Sequence, residues 1–207
     1  MIVIIDYGMG NLSSVKNALN FLGLESKISS HEEEIRNANA LILPGVGAFP
    51  DAMDTIERLS LDKIIKEEVA KNKPLLGICL GMQLLFENGF EGLERKGLGL
   101  LKGSIVKMKD DKKNNIKIPH IGWNNLIYNK KDELFNFIEE GKFVYYVHSY
   151  FVQGYNDEDL VAYSEYGENK IPGVVRCKNV MGAQFHPEKS GTVGLSILKN
   201  FGEMIKW

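Results

Sequence analysis

Apolar residues in the first half of the chain alternate between short continuous runs and helix-like spacings. The short runs at residues 1–5, 40–43 and 75–78 are typical of strands buried on both faces of a parallel sheet. Between them, apolar positions three and four residues apart predict amphipathic helices over residues 12–22 and 51–71. This alternation predicts parallel strands joined by right-handed helical crossovers.

The second half of the chain is richer in strands, and residues 194–206 predict a closing helix. We therefore expect an α/β fold with an open, mixed but mostly parallel sheet, flanked by helices and strand-rich in its C-terminal half. A length of 207 residues favours a single domain over residues 1–207. The predicted strands of this half are 103–108, 116–127, 142–147, 160–166, 173–177 and 180–185.

Cys79 lies where the run at residues 75–78 meets the start of a predicted helix. Gly77 and Gly81 flank it and keep bulk away from the turn, as a nucleophile elbow requires. The following helix is expected to continue through Phe86, and its N-terminus would favour the thiolate. A free cysteine is more often a buried structural residue, and the two glycines are what favour a nucleophile here.

A thiolate nucleophile needs a base, and His186 is the best-placed histidine. It ends an apolar segment that a proline stops, so its ring lies at a strand end, where the sites of open α/β sheets are found. Glu188 could reach back to the ring, hold its tautomer and stabilise the imidazolium. His31 instead lies at the start of an acidic surface helix. His120 and His148 lie in strand-like segments and could be structural histidines. The sequence thus predicts a triad of cysteine, histidine and glutamate.

Composition and charge exclude several other classes of protein. With 44% hydrophobic and 25% charged residues the chain is an ordinary globular one, and a net charge of −2 provides no basic field for nucleic acid or membrane. Two cysteines are too few for a disulfide framework, and no cluster of cysteines and histidines indicates a metal or other cofactor. Without a basic leader or an apolar run of membrane-spanning length, the expected location is the cytoplasm.

Two motifs together resemble the class-I, or triad, glutamine amidotransferases. They are Gly-Ile-Cys-Leu-Gly-Met-Gln at residues 77–83 and Gln-Phe-His-Pro-Glu at residues 184–188. Segments 6–12, 43–49 and 119–124 further resemble the glutaminase subunits of imidazole glycerol phosphate synthases, from histidine biosynthesis. The resemblance runs from the first strand to the last helix. It implies a flavodoxin-like fold and hydrolysis of glutamine to glutamate and ammonia through a glutamyl thioester.

The resemblance also implies which residues meet the substrate. Attack on the amide creates an oxyanion, to which Val46 and Leu80 would present backbone N–H groups. From the residues alone, the Gly-Val-Gly turn could equally be a tight connection between strand and helix. By spacing alone, Glu91 would be a solvated loop acid and Gln83 an amide on the helix surface. The implied glutamine pocket comprises Gly47, Gln83, Glu91, Ser149 and Tyr150.

The resemblance finally implies a partner, a (β/α)8-barrel cyclase subunit that receives the ammonia within a heterodimer. Asn11, Trp123 and Asn124 resemble the interface residues, although a tryptophan buried in the core is the competing interpretation of Trp123. We hypothesise that glutamine turnover stays low until the partner and its ligand orient the Val46 amide. Two other functions stay open: the same glutaminase serving a different acceptor enzyme, and a non-catalytic regulatory subunit.

Overall fold

The computed structural model describes residues 1–110 and 116–205. The strands in these ranges are β1 (Ile2–Ile5), β2 (Ser26–Ser29), β3 (Ala40–Gly45), β4 (Leu75–Cys79), β5 (Phe86–Gly89), β6 (Arg95–Lys96), β7 (Leu101–Lys107), β8 (His120–Asn125), β9 (Ile127–Tyr128), β10 (Phe143–His148), β11 (Tyr150–Gln153), β12 (Leu160–Tyr166), β13 (Asn169–Cys177) and β14 (Val180–Ala183). The α-helices are α1 (Leu12–Phe21), α2 (Glu32–Asn37), α3 (Phe49–Arg58), α4 (Leu61–Ala70), α5 (Leu80–Gln83) and α6 (Gly191–Glu203). None of these helices is long and apolar enough to cross a membrane.

The largest sheet in the described ranges has the strand order β2-β1-β3-β4-β14-β13-β12-β9. Its pairings are parallel from β2 to β14 and antiparallel from β14 to β9. Strands β1, β3, β4 and β14 are buried along their whole length, because α1 and α6 pack on one face and α3 and α4 on the other. The predicted α/β class with a mixed sheet is confirmed.

Strands β8 and β10 form a separate antiparallel ribbon with two unlike faces. Side chains at Val144, Tyr146 and His148 are buried, whereas those between them on β10 are exposed or half-buried. On β8, His120 is buried and its neighbours Ile121 and Trp123 are largely exposed. We call the exposed side of β8 and β10 the outer face of the ribbon, because side chains alternate between the two sides of a strand.

Two predicted helices differ from the observed ones. The predicted helix over residues 51–71 is two helices, α3 and α4, because the backbone turns at Ser60 with a φ of +58°. Leu59, which the spacing placed on the apolar face, is 43% exposed at this break. The helix after Cys79 is the four-residue α5, and Phe86 begins strand β5 instead of continuing a helix. Periodicity could not detect either break, since the apolar spacing continues through both.

The strand-rich second half is confirmed, with shifted bounds. In place of one strand over residues 116–127, the structure has the six-residue β8 and the two-residue β9. Residues 111–115, just before the predicted strand, lie outside the described residues. Strands β2, β5, β6 and β11 were not predicted. β2 and β6 are short and polar, β5 adjoins a helix signal, and the four-residue β11 follows β10 after a single residue. The closing helix begins three residues early, at Gly191, and the predicted end at Lys206 lies outside the described residues.

Gly81 offers a test of how tightly α5 packs on the sheet. A Cβ added at this position would lie 1.7 Å from the carbonyl oxygen of Leu43, in the backbone of β3. Gly81→Ala should therefore lower the free energy of unfolding by about 3 kcal/mol in a denaturant titration, because the backbone must shift to admit the methyl group.

Gly141→Ala is the control, since a Cβ there meets nothing within 4 Å and only its φ of +82° opposes the substitution. That backbone strain should cost about 1–2 kcal/mol. Equal loss of stability in the two variants would show that the contact between α5 and β3 is not the constraint we infer.

Candidate active site

Cys79 occupies a strained turn between β4 and α5. Its φ of +55° and ψ of −112° are rare for a residue with a side chain, and such conformations persist only where the surroundings enforce them. Gly77 permits the turn, since a Cβ there would come within 2.7 Å of the Gly81 carbonyl oxygen. The thiol is buried, with its sulfur 3.9 Å from the carbonyl oxygen of Val147. This geometry is that of a nucleophile elbow.

His186 and Glu188 form a buried pair beside this thiol. The Nδ1 atom of His186 lies 2.8 Å from Oε1 of Glu188, and both side chains are at most 3% exposed. Burial lowers the pKa of His186, but interactions with the Cys79 thiol and the Glu188 carboxylate outweigh it and raise the pKa to about 9. The ring is therefore an imidazolium at neutral pH. Because α5 has only four residues, this cation, not a helix dipole, is the main charge available to stabilise a thiolate.

A cavity of about 370 Å³ opens above the thiol, within the usual size of a small-molecule site. Among the described residues, no group of three or more His, Cys, Asp or Glu side chains is placed to hold a metal ion. Glu188 lies behind the imidazole rather than in the cavity wall. The sequence-predicted residues that the structure brings together around the cavity are Val46, Gly47, Cys79, Leu80, Gln83, Glu91, Ser149, Tyr150 and His186.

The turn at Val46 and Gly47 reaches the cavity because β3 and β4 are in register. Gly45 pairs with Cys79, so the next two residues extend past the end of the sheet, with Val46 43% exposed. Glu91 supports this turn from the other side, since its carboxylate accepts a hydrogen bond of 2.8 Å from the Phe49 N–H, at the start of α3. Glu91 is thus attached to the site and is not a free, solvated loop acid.

Gln83 is buried and does not lie on a helix surface. Its Nε2 atom donates to the carbonyl oxygen of Tyr150 at 2.9 Å and to Oε1 of Gln184 at 3.1 Å. Gln184 in turn places its own Nε2 atom 4.0 Å from the Cys79 sulfur. These two amides connect Cys79 to the wall of the cavity at Tyr150.

Comparison with known proteins identifies the family. The family model described as glutamine amidotransferase class-I matches residues 3–205. Over 206 residues, the chain is 53% identical to the imidazole glycerol phosphate synthase subunit HisH of Caldanaerobacter subterraneus subsp. tengcongensis, covering 100% of this chain and 99% of that protein. The chain belongs to the class-I glutamine amidotransferases, in the HisH family. The HisH subunit of Bacillus subtilis is 50% identical over 206 residues, and the match covers 99% of this chain and 96% of that protein.

The fold of this chain is similar to that of a solved structure. A crystal structure described as glutamine amidotransferase superposes with a TM-score of 0.76 at 20% identity, covering 98% of each chain. The chain is a glutamine amidotransferase, as its sequence predicted.

The structure adds residues to the amidotransferase site that the sequence did not single out. Gln184 begins the quoted motif at residues 184–188, and its polar side chain directly after a buried strand was the signal available. Tyr7 is buried with its hydroxyl group packed against the elbow, and burial together with the nearby Cys79 raises its pKa. A Cβ added to Gly45 would lie 2.4 Å from this hydroxyl. No local pattern indicates Tyr7, because its role depends on contacts between separate strands.

The three interface candidates of the amidotransferase lie on two elements. Trp123 is 56% exposed on the outer face of the ribbon, so it is not a core tryptophan, and its ring meets Tyr145 edge-on with centroids 5.9 Å apart. Asn124 is its neighbour on β8 and donates from Nδ2 to the carbonyl oxygen of Glu165 at 2.9 Å. Asn11 lies elsewhere, at the start of α1, where its side chain makes no capping hydrogen bond.

The charge of His186 gives a pH test of the amidotransferase site. NMR titration of the ¹⁵N-labelled histidine rings should show His186 protonated up to about pH 9. In Glu188→Gln its pKa should fall, because a carboxylate that favours the protonated ring has been removed. His120 and His148 serve as internal controls, since burial lowers their pKa values to about 4 and about 3. A wild-type His186 that loses its proton near pH 6.5 would contradict the inferred ion pair.

Proposed function

We propose that this chain hydrolyses glutamine with a triad of Cys79, His186 and Glu188, as the glutaminase subunit of an imidazole glycerol phosphate synthase. The observation that carries the proposal is the buried elbow cysteine beside an imidazole whose pKa is raised to about 9 by that thiol and by Glu188. Structural cysteines have no need of a strained turn and a paired histidine. The HisH relatives, about half identical over almost the whole chain, support the choice of synthase.

The reaction would proceed in two halves. The Cys79 thiolate attacks the side-chain amide carbon of glutamine, and the N–H groups of Val46 and Leu80 stabilise the oxyanion. The His186 imidazolium gives its proton to the leaving nitrogen, which departs as ammonia and leaves a glutamyl thioester. The neutral ring then takes a proton from water, whose oxygen attacks the thioester, and glutamate and the thiol are released. Glu188 holds the ring in position throughout.

The cavity wall supplies groups for the polar ends of glutamine. The Glu91 carboxylate is suited to the substrate ammonium, and the backbone N–H groups of Ser149 and Tyr150 to its carboxylate. Gly47 leaves room at the mouth, and Gln83 holds the Tyr150 carbonyl oxygen in place. The arrangement favours an amino acid over an extended peptide, because it fits one free ammonium and one free carboxylate.

The outer face of the ribbon is the surface we propose for the partner subunit. Four of its side chains are between 36% and 57% exposed, which is unusual for large apolar residues grouped together: Ile121, Trp123, Phe143 and Val147. Val147 also lines the cavity, so this surface is continuous with the site where ammonia forms. A cyclase with a (β/α)8 barrel, docked here and near Asn11 and Asn124, would receive the ammonia before water protonates it. The products would be imidazole glycerol phosphate and AICAR, made in the cytoplasm.

Glutamate release, with and without the cyclase subunit and its ribonucleotide ligand, tests the proposed function. We expect the partner and its ligand together to raise glutamine turnover by a factor on the order of 10²–10³, because they would orient the Val46 amide. That factor is the rate lost when one oxyanion-hole donor is removed. Cys79→Ala should lower the stimulated rate by about 10⁴-fold or more.

Cys177→Ala is the matched control, because it removes the second cysteine without touching the cavity. An active enzyme that the cyclase does not stimulate would indicate a different acceptor enzyme. Absence of glutamate release in the presence of every partner would favour a regulatory subunit and overturn the proposed chemistry.

Docking can be measured separately from catalysis. Trp123→Ala should weaken the affinity for the cyclase by about 2 kcal/mol or more, since a large exposed aromatic at the centre of an apolar face is a typical binding anchor. Phe137→Ala is the control, because Phe137 is fully exposed but lies outside the ribbon. Equal affinities of the two variants in calorimetric titration would place the interface elsewhere.

A further inference from the structure

Two buried histidines that the triad does not use lie on the inner side of the ribbon. His120 and His148 are 2% and 7% exposed, and Nδ1 of His120 lies 3.1 Å from Nε2 of His148. The His120 ring stacks between Tyr146 and Tyr166, at centroid distances of 4.7 and 3.9 Å. Packing alone would be served by any flat ring, so the hydrogen bonds are what a histidine adds here.

The contact between His148 and Tyr150 determines the direction of these hydrogen bonds. Nδ1 of His148 lies 2.9 Å from the carbonyl oxygen of Tyr150, which can only accept, so Nδ1 carries the hydrogen. Because burial lowers the pKa of His148 to about 3, the ring is neutral and its Nε2 atom must accept. His120 therefore donates to it from Nδ1.

The same reasoning gives the direction of the next hydrogen bond, between His120 and Asn124 on β8. His120 is neutral as well, since burial lowers its pKa to about 4, so its Nε2 atom accepts. The Nδ2 atom of Asn124 lies 3.4 Å away and is a donor. The orientation of this amide is fixed independently, because Nδ2 also donates to the Glu165 carbonyl oxygen at 2.9 Å while Oδ1 accepts the Asn125 N–H at 2.9 Å.

The chain of hydrogen bonds ends on the glutamine pocket. The Tyr150 carbonyl oxygen accepts from His148 on one side and from Gln83, at 2.9 Å, on the other. Both of its lone pairs are therefore used, and two donors hold the peptide unit that directly follows the Tyr150 N–H. Ser149 and Tyr150 line the cavity immediately beside these contacts.

We propose that His120 and His148 are positioning residues, which hold the backbone of Ser149 and Tyr150 in the geometry that binds the glutamine carboxylate, through a one-directional chain of hydrogen bonds from Asn124. The inference rests on the proposed function for the identity of the ligand. Its structural content, two neutral rings that each carry the hydrogen on Nδ1, is independent of that function.

Two variants of His120 separate hydrogen bonding from packing, in the chain assembled with the cyclase subunit. His120→Phe keeps a stacked ring but removes the donor, so the KM for glutamine should rise on the order of tenfold, with kcat changed much less. His120→Asn keeps a donor near the position of Nδ1 but removes the ring, so it should lower the melting temperature and largely preserve KM. The reverse pattern, with KM following the loss of the ring, would overturn the proposal.

Alkylation of Cys79 by iodoacetamide is the accompanying control, because that reagent needs the thiolate but not the carboxylate site. Its rate should be the same in His120→Phe and wild type. A parallel loss of alkylation would show a general disturbance of the site and contradict a positioning role confined to the pocket.

Ring ¹⁵N spectra of the wild-type chain provide a readout that needs neither turnover nor a variant that folds. We expect both rings to show a protonated Nδ1 and an unprotonated Nε2 between pH 6 and pH 8, as the two lowered pKa values require. A hydrogen on Nε2 of either ring would overturn the proposed direction. Absence of glutamate release with the expected spectra would instead count against the proposed function.

Discussion

The parallel pairing of β3, β4 and β14 is the constraint on which the rest of the site depends. Gly45 lies opposite Cys79 across β3 and β4, and Ala183 lies opposite Ile78 across β4 and β14. The turn at Val46, the thiol of Cys79 and the segment that leads to His186 therefore leave the sheet side by side at one edge. The strain at Cys79, on the order of 1–3 kcal/mol, is tolerated because glycines let α5 lie against the backbone of β3. A shift of register by one residue would separate all three groups.

The site keeps two neighbouring histidines in opposite charge states. His186 has a carboxylate and a thiol beside it, which raise its pKa to about 9 despite burial. Among the described residues His148 has no carboxylate hydrogen-bonded to its ring. Burial is the largest cause that lowers its pKa to about 3; the hydrogen bond to the Tyr150 carbonyl oxygen opposes this, and the nearby His120 and His186 add to it. One ring can therefore move a proton while the other stays a fixed donor and acceptor. Both rings are buried, so the neighbouring groups, and not burial alone, decide which histidine is charged and which is neutral.

Much of the candidate site could be predicted from sequence because Cys79, His186 and Glu188, the residues of the proposed triad, lie at or just after strand ends. Apolar runs located the ends of β4 and β14, and parallel strands bring such ends together. What the sequence could not indicate depends on contacts between distant segments. Gln184 and Tyr7 owe their places to the packing of separate strands, and the hydrogen bond between His120 and His148 depends on the pairing of β8 with β10. The break at Ser60 was missed because the apolar spacing continues through it.

The ribbon connects the surface to Cys79 and His186 through its own backbone. Tyr145 and Val147 direct their side chains to the outer face, yet the Tyr145 carbonyl oxygen accepts a hydrogen bond of 3.0 Å from the backbone N–H of His186. The Val147 carbonyl oxygen lies 3.9 Å from the Cys79 sulfur. Because a strand is only one residue thick, a protein seated on the outer face, as we propose for the cyclase, would contact the same residues that touch His186 and Cys79. In the proposed complex the subunit would therefore sit close to the cavity that Val46 and Val147 both line, and its effect on the Val46 amide would need no long-range pathway.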